Sequence, residues 1–371
     1  MSTESAPKLF QPIQVGDVQL QHRVVLAPLT RFRADKTHTH TDLAVEYYRQ
    51  RASTPGTLLI SEGTFINAKA GGYANVPGLW TDEQLTAWKK VTDAVHAQGS
   101  YIFCQLWALG RAANGEQLKS EDPAFDVVSA SDISLKDGPK TRALTEAEIK
   151  EYIDTYRTAA YDAVHRAGFD GVELHGANGY LIDQFLQDVT NKRTDAYGGS
   201  VENRARFALE AVDAVVGAVG AGRTGIRLSP WGEFNEMRMA DPKPQFSYVV
   251  GQLKARHSDL AYVHLVEPLV NGNTEREPNA AESNDFIRDI WLPRPLITAG
   301  GYTREAAIEQ AEKTGELIAV GRYFISNPDL PLRFKYNVAL TPYDRDSFYI
   351  PESAKGYTDL PFSEELKGSK L

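Results

Sequence analysis

Residues 151–180 read EYIDTYRTAAYDAVHRAGFDGVELHGANGY, and they hold the repeating unit of the whole chain. Apolar residues recur at helical spacing over 146–166, and Gly168 stands where such a helix should stop. The short apolar run 171–175 then reads as a buried strand, and a polar, glycine-rich turn follows it. The same order recurs outward in both directions. Runs rich in Val, Ile, Leu and Thr fall at 23–27, 57–61, 100–106, 171–175, 224–228, 261–266, 295–298 and 316–320. Helical spacing is found at 42–51, 81–98, 146–166, 201–219, 245–256, 279–290, 304–313 and 329–337. Thr81 with Gln84, and Thr145 with Glu148, have the spacing of capping boxes. Strict alternation of eight strands with eight helices predicts an α/β fold, a (β/α)8 TIM barrel. An open doubly wound sheet is the alternative.

Two segments fall outside the repeat. Residues 11–22 read as an N-terminal hairpin turning at Val15-Gly16-Asp17, placed to plug the bottom of the barrel. Residues 108–144 form a long excursion after strand three, a length that in a compact domain signals function or disorder. No linker or shift in composition marks a second domain. Residues 1–371 are therefore expected to form a single barrel domain, closed by a covering loop and a tail at about 355–371.

Of the 371 residues, 42% are hydrophobic and 24% charged, which is the balance of a globular protein with a sizeable core. The net charge of -9 argues against non-specific binding to nucleic acid or to an anionic membrane. The single cysteine, Cys104, excludes an internal disulfide and suits a reducing compartment; it is expected to be a buried strand residue. No apolar run approaches the roughly 20 residues of a membrane span. The ending Ser369-Lys370-Leu371 matches a peroxisomal address, so the expected location is the peroxisome, otherwise the cytoplasm, with an import receptor as partner.

In a barrel of this kind the active site lies at the C-terminal ends of the strands. Those ends carry Pro28-Leu29-Thr30-Arg31, Glu62-Gly63-Thr64, Gln105-Leu106-Trp107, His175 to Tyr180, Arg227, Gly300-Gly301 and Gly321-Arg322. The glycines after strands seven and eight let backbone N–H groups approach a phosphate, and Arg322 adds a charge. His175 and Asn178 are two donors aimed at one region. They would stabilise charge on an oxygen by ~3 kcal/mol per well-placed donor. Tyr180 adds a phenol suited to general acid work. The competing reading of His175 is a satisfied core histidine beside an ordinary Asn178-Gly179 turn. No metal site is expected, and His38 and His40, in a polar loop, are expected to be solvated. There is no nucleophile elbow, no dinucleotide fingerprint and no lysine on strand six for a Schiff base.

The chain resembles the old yellow enzyme flavoproteins over nearly its whole length. The resemblance rests on Ala27-Pro28-Leu29-Thr30-Arg31, Gln105-Leu106-Trp107, His175 through Gln184, Arg193-Thr194-Asp195-Ala196-Tyr197-Gly198-Gly199-Ser200, Glu202-Asn203-Arg204 and Gly321-Arg322-Tyr323-Phe324-Ile325-Ser326-Asn327-Pro328. It is similar to the fungal and plant branch, including the 12-oxophytodienoate reductases. This resemblance implies tightly bound FMN, with NADPH as reductant. It implies that Pro28, Leu29, Thr30, Gly63, Gln105 and Arg227 hold the ring and that Gly300, Gly301, Gly321 and Arg322 hold the phosphate. It also implies that His175 and Asn178 grip the carbonyl of an α,β-unsaturated small molecule. Hydride then passes from flavin N5 to the β-carbon, and Tyr180 protonates the α-carbon. Tyr73, Trp107, Phe234 and Tyr349 would shape the substrate pocket, and the segment 193–204 would be structural. Relatives that act as isomerases carry phenylalanine at the proton donor, so Tyr180 points to reduction. Relatives with dehydrogenase or demethylase activity often carry extra domains or a cluster of cysteines, and one cysteine in 371 residues speaks against that reading. A non-catalytic flavin-binding barrel would not need the set His175, Asn178, Tyr180 and Arg227.

Overall fold

Eight short parallel strands carry the architecture: β1 Val24–Leu26, β2 Leu58–Ile60, β3 Tyr101–Trp107, β4 Gly171–Gly176, β5 Thr224–Leu228, β6 Tyr262–Val266, β7 Leu296–Ala299 and β8 Leu317–Val320. Each pairs with the next, β8 returns to β1, and β2 pairs with β3, so the sheet closes on itself. The computed structural model describes residues 6–277 and 279–369, so Lys370 and Leu371 of the terminal tripeptide lie outside the described residues.

The outer ring is α1 Asp42–Arg51, α2 Asp82–His96, α3 Glu146–His165, α4 Val201–Val219, α5 Lys243–Arg256, α6 Asp285–Trp291, α7 Arg304–Thr314 and α8 Leu330–Tyr336. Sequence and structure agree in local detail. Both expected capping boxes form, at Thr81 with Gln84 and at Thr145 with Glu148. Helix α2 buries Leu85, Trp88, Val91 and Val95, a stripe at i, i+3 and i+4 spacing. Each such side chain is worth about 1.5–3 kcal/mol when taken fully out of water. The fold is the expected TIM barrel.

Helix α6 departs from the expected 279–290. Glu282 pairs with Arg238 (2.8 Å) and Arg276 (2.5 Å). The buried Asn284 donates from Nδ2 to the Val266 carbonyl (3.1 Å). These tertiary ties hold 279–284 as irregular chain, and the helix starts only at Asp285.

The N-terminal hairpin, Ile13–Val15 against Val18–Leu20, turns at Gly16 with φ +52°. A Cβ at Gly16 would lie 1.9 Å from the Gly222 carbonyl oxygen, so only glycine fits the close approach. Val15, Val18 and Leu20 pack against Val25, Leu58, Phe103, Tyr262, Ile297 and Leu317 and seal the bottom of the barrel. The excursion after β3 is held down by Arg193, which donates to the carbonyls of Ala130 (2.8 Å) and Leu144 (2.6 Å).

Two expectations are corrected. His38 and His40 are buried rather than solvated. His38 bonds the Val76 carbonyl (2.5 Å) and Glu121 (3.3 Å), and the His40 ring packs edge-on against Trp88. The tail does not begin at 355. Tyr357 is fully buried and stacks on Tyr47 at 4.1 Å. The Gly356 carbonyl accepts from Arg31 Nη2 (2.7 Å).

Candidate active site

The C-terminal rim opens into a cavity of about 410 Å³, within the size range of small-molecule sites. Its floor is asymmetric. The C-terminal ends of β1, β7 and β8 offer the small side chains Ala27, just past β1, Ala299 and Ala319, which leave room above them. Strands β3, β4 and β5 offer Gln105, His175 and Arg227. The cavity collects Pro28, Leu29, Thr30, Tyr73, Trp107, Asn178, Tyr180, Phe234, Gly300, Gly301, Gly321, Arg322 and Tyr349 from eight separate stretches of chain. Gly63 is the exception among the expected site residues. It does not line the cavity but lies under Trp107, whose Cε3 would stand 2.5 Å from a Cβ there. Its role is to let that indole close over the β2 turn.

One wall carries the proton-handling groups. His175 sits on β4, and burial, with Arg227 and His264 adding to it, pushes its imidazole well below the ordinary value. The ring is therefore neutral. Its Nδ1 accepts the Ala177 backbone N–H (3.4 Å), so the proton resides on Nε2, which is a donor. Asn178 occupies the left-handed region (φ 58°), a conformation that Asn tolerates better than most residues. Its backbone N–H donates to Ser229 Oγ (2.7 Å), and its carbonyl accepts from Asn235 Nδ2 (2.9 Å). Tyr180 packs edge-on against Trp107 (4.8 Å between ring centres) and His175 (5.0 Å). Burial and the nearby phenols of Tyr73 and Tyr349 raise its hydroxyl well above the ordinary value, so it keeps its proton at any working pH.

The turn that presents these groups is fixed from below by Gln184. Its amide donates to the carbonyls of Gly179 (2.7 Å) and Leu109 (3.0 Å) and accepts from Ser129 Oγ (2.8 Å). The Thr30 loop is fixed by Glu62, whose Oε2 accepts the Arg31 N–H (3.2 Å). Burial raises the Glu62 carboxyl to about 7, with the Arg31 N–H and the guanidinium groups of Arg31 and Arg33 opposing. An acid raised from 4.5 to about 7 on folding makes stability fall as pH rises across that window, because the unfolded chain releases its proton first. In Glu62→Gln that component disappears. Unfolding free energies in urea at pH 5 and pH 8 should then differ by roughly 2 kcal/mol less than in the unsubstituted protein. An unchanged difference would show that Glu62 ionises normally.

At the opposite end, Gly300, Gly301 and Gly321 bring backbone close to Arg322. Arg322 donates to Tyr343 Oη (3.1 Å) and pairs with Glu275. A Cβ at Gly301 (φ +70°) would fill this cradle, 3.2 Å from Glu275 Oε1 and 3.8 Å from Arg322 Nη2. The cavity thus has an anion end, a polar edge and an aromatic wall with two donors and an acid.

Residues 8–341 match the family described as NADH:flavin oxidoreductase / NADH oxidase. The chain belongs to this family. It is 52% identical over 366 residues to a chanoclavine-I aldehyde reductase of Penicillium roqueforti, covering 97% of this chain and 98% of that one. It is 50% identical over 370 residues to the NADP-dependent oxidoreductase lnbE of Aspergillus flavus, covering 96% and 97%. Among solved structures it is similar to an Old Yellow Enzyme from Pichia sp., with a TM-score of 0.89, 39% identity and coverage of 96% and 94%. This flavin oxidoreductase is therefore an old yellow enzyme in family and fold.

The residues present fit FMN. The glycine cradle and Arg322 suit its phosphate, although an anion there competes with Glu275 for the guanidinium. Arg227 lines the cavity, and its Nε is buried without a hydrogen-bond partner among the described residues, as expected for a polar edge that meets a ring. Gly301→Ala should strain the left-handed turn by about 1–2 kcal/mol and crowd the cradle. The FMN dissociation constant of the apoprotein, read by quenching of flavin fluorescence, should rise about tenfold or more. Unchanged affinity would place the phosphate elsewhere.

The sequence reading did not name Glu173, His264, Asn235, Glu275 or Tyr343, and it gave Gln184 only as the end of a motif. Glu173 and His264 carried a signal: each is an ionisable residue inside an otherwise apolar strand run.

Proposed function

We propose that this oxidoreductase is an FMN-dependent ene-reductase that uses NADPH to saturate the C=C bond of an α,β-unsaturated aldehyde or ketone. The observation that carries the reading is the shared wall: a neutral His175 with its proton on Nε2, the Asn178 amide and the protonated Tyr180 phenol. When bound, FMN would supply a hydride derived from NADPH. His175 Nε2–H and the Asn178 amide donate to the substrate carbonyl oxygen and draw electron density out of the alkene. The β-carbon becomes electrophilic and takes the hydride, while charge gathers on the oxygen that the two donors hold. Tyr180 gives its proton to the α-carbon, and water restores the phenol. The rings of Phe32, Tyr73, Trp107 and Tyr349 meet edge to face around the same space and favour a flat, apolar substrate.

The aldehyde reductase relative supports a carbonyl substrate, and the NADP-dependent relative supports the choice of reductant. Reduction of cyclohexenone by NADPH in deuterated water tests the reading. Deuterium should appear at the α-carbon and not at the β-carbon. Consumption of the carbonyl with an intact alkene would replace ene-reduction with carbonyl reduction.

A further inference from the structure

The interior of such a barrel is ordinarily packed with branched aliphatic side chains in layers. Here the four strands β3 to β6 place Gln105 and Glu173 at one level and Arg227 and His264 two residues nearer the rim, where Arg227 stands beside His175. Glu173 stands directly opposite Gln105 in the ladder, and Arg227 stands opposite His264. Glu173 and His264 are fully buried, and Gln105 almost so. Burying such groups costs several kcal/mol unless each is paired, and the fold alone has no need of them.

The pairing converges on Glu173. Gln105 donates from Nε2 to Glu173 Oε1 (2.8 Å), and His264 Nδ1 bonds Glu173 Oε2 (2.8 Å). Two consequences follow from the chemistry of an acceptor-only carboxylate. The Gln105 amide cannot flip, because its nitrogen is committed to Glu173, so its oxygen remains free to accept from the cavity. Arg227, on the strand next to Glu173 and two residues nearer the rim, feels the Glu173 carboxylate, so the charge it presents to the cavity is partly offset.

We propose that Glu173 is a positioning residue for the cofactor: it locks the Gln105 amide toward the flavin edge and offsets Arg227, thereby lowering the reduction potential of the bound flavin. This rests on the FMN reading above. Reduction adds negative charge to the ring, which an unopposed Arg227 would favour.

Two variants separate the two roles. In Glu173→Gln the shape is kept. The new amide can accept from Gln105 and donate to His264 once that ring changes tautomer, so the barrel should fold. The charge is lost, and reduced FMN should gain at least tenfold in affinity relative to oxidised FMN. That is a rise of about 30 mV in a two-electron midpoint potential. In Glu173→Asp the charge is kept but the carboxylate is withdrawn by one methylene. The apoprotein should bind oxidised FMN at least fivefold more weakly, with the ratio of reduced to oxidised affinity changed less than twofold. A ratio that is unchanged or lowered in Glu173→Gln overturns the proposal, and so does wild-type FMN affinity in Glu173→Asp. The second measurement decides alone should Glu173→Gln fail to fold. Unsubstituted protein that takes up no FMN brings down the flavin reading itself, which distinguishes that failure from this one.

Discussion

Tyr180→Phe is expected to slow reoxidation of the reduced enzyme by cyclohexenone by roughly 10²–10⁴-fold, the range for removing a positioned general acid. The substitution deletes one oxygen and leaves the ring contacts with Trp107 and His175 in place. Substrate binding should therefore change little. Reduction of the flavin by NADPH requires no proton from this residue, so its rate should stay within a fewfold of the original. Stopped-flow absorbance resolves the two half-reactions. Equal slowing of both would mean that Tyr180 shapes the cavity rather than supplies a proton. The raised phenol gives a further sign. The group stays protonated far above neutrality, so enone reduction should show no loss of acid function up to at least pH 9.

His175→Leu should lower the same half-reaction by about 10²–10³-fold, the cost of one well-placed donor to a developing oxyanion. Leucine roughly keeps the buried volume, and Ala177 loses only a long contact to Nδ1. Because the neutral ring already carries its proton on Nε2, the loss should be the same at pH 6 and pH 8. A protonated imidazolium would instead make activity fall as pH rises through its titration. A His175→Leu protein with full activity would leave Asn178 as the sole donor and would return His175 to the role of a core histidine.

The barrel was legible because its signals are local. Alternating periods, capping boxes and glycine stops act within a few residues of one another, and every strand expected from them lies within one residue of where it formed. The site was legible for a second reason: the fold sends all eight strand ends to one rim, so naming the ends named much of the lining, though not Glu275 or Tyr343. What escaped depends on contacts between distant segments. The helix expected over 279–290 loses its first turn to ion pairs with Arg238 and Arg276. His38 and His40 sit in a polar stretch and are buried only because Trp80, Phe65 and Trp88 arrive from elsewhere. Gly63 adjoins the rim in sequence, but Trp107 covers it. Tyr357 reads as part of a tail, yet it stacks on Tyr47 beside two buried arginines, Arg31 and Arg33, that donate to carbonyls of the C-terminal segment.

Flavin reduction by NADPH and reoxidation by an enone are both read in an anaerobic absorbance titration. FMN-loaded protein is titrated with NADPH and then with cyclohexenone. NADPH should bleach the flavin band, and the enone should restore it in full. Bleaching without return would contradict enone reduction, and protein that shows no flavin band after incubation with FMN would contradict the assignment of the site.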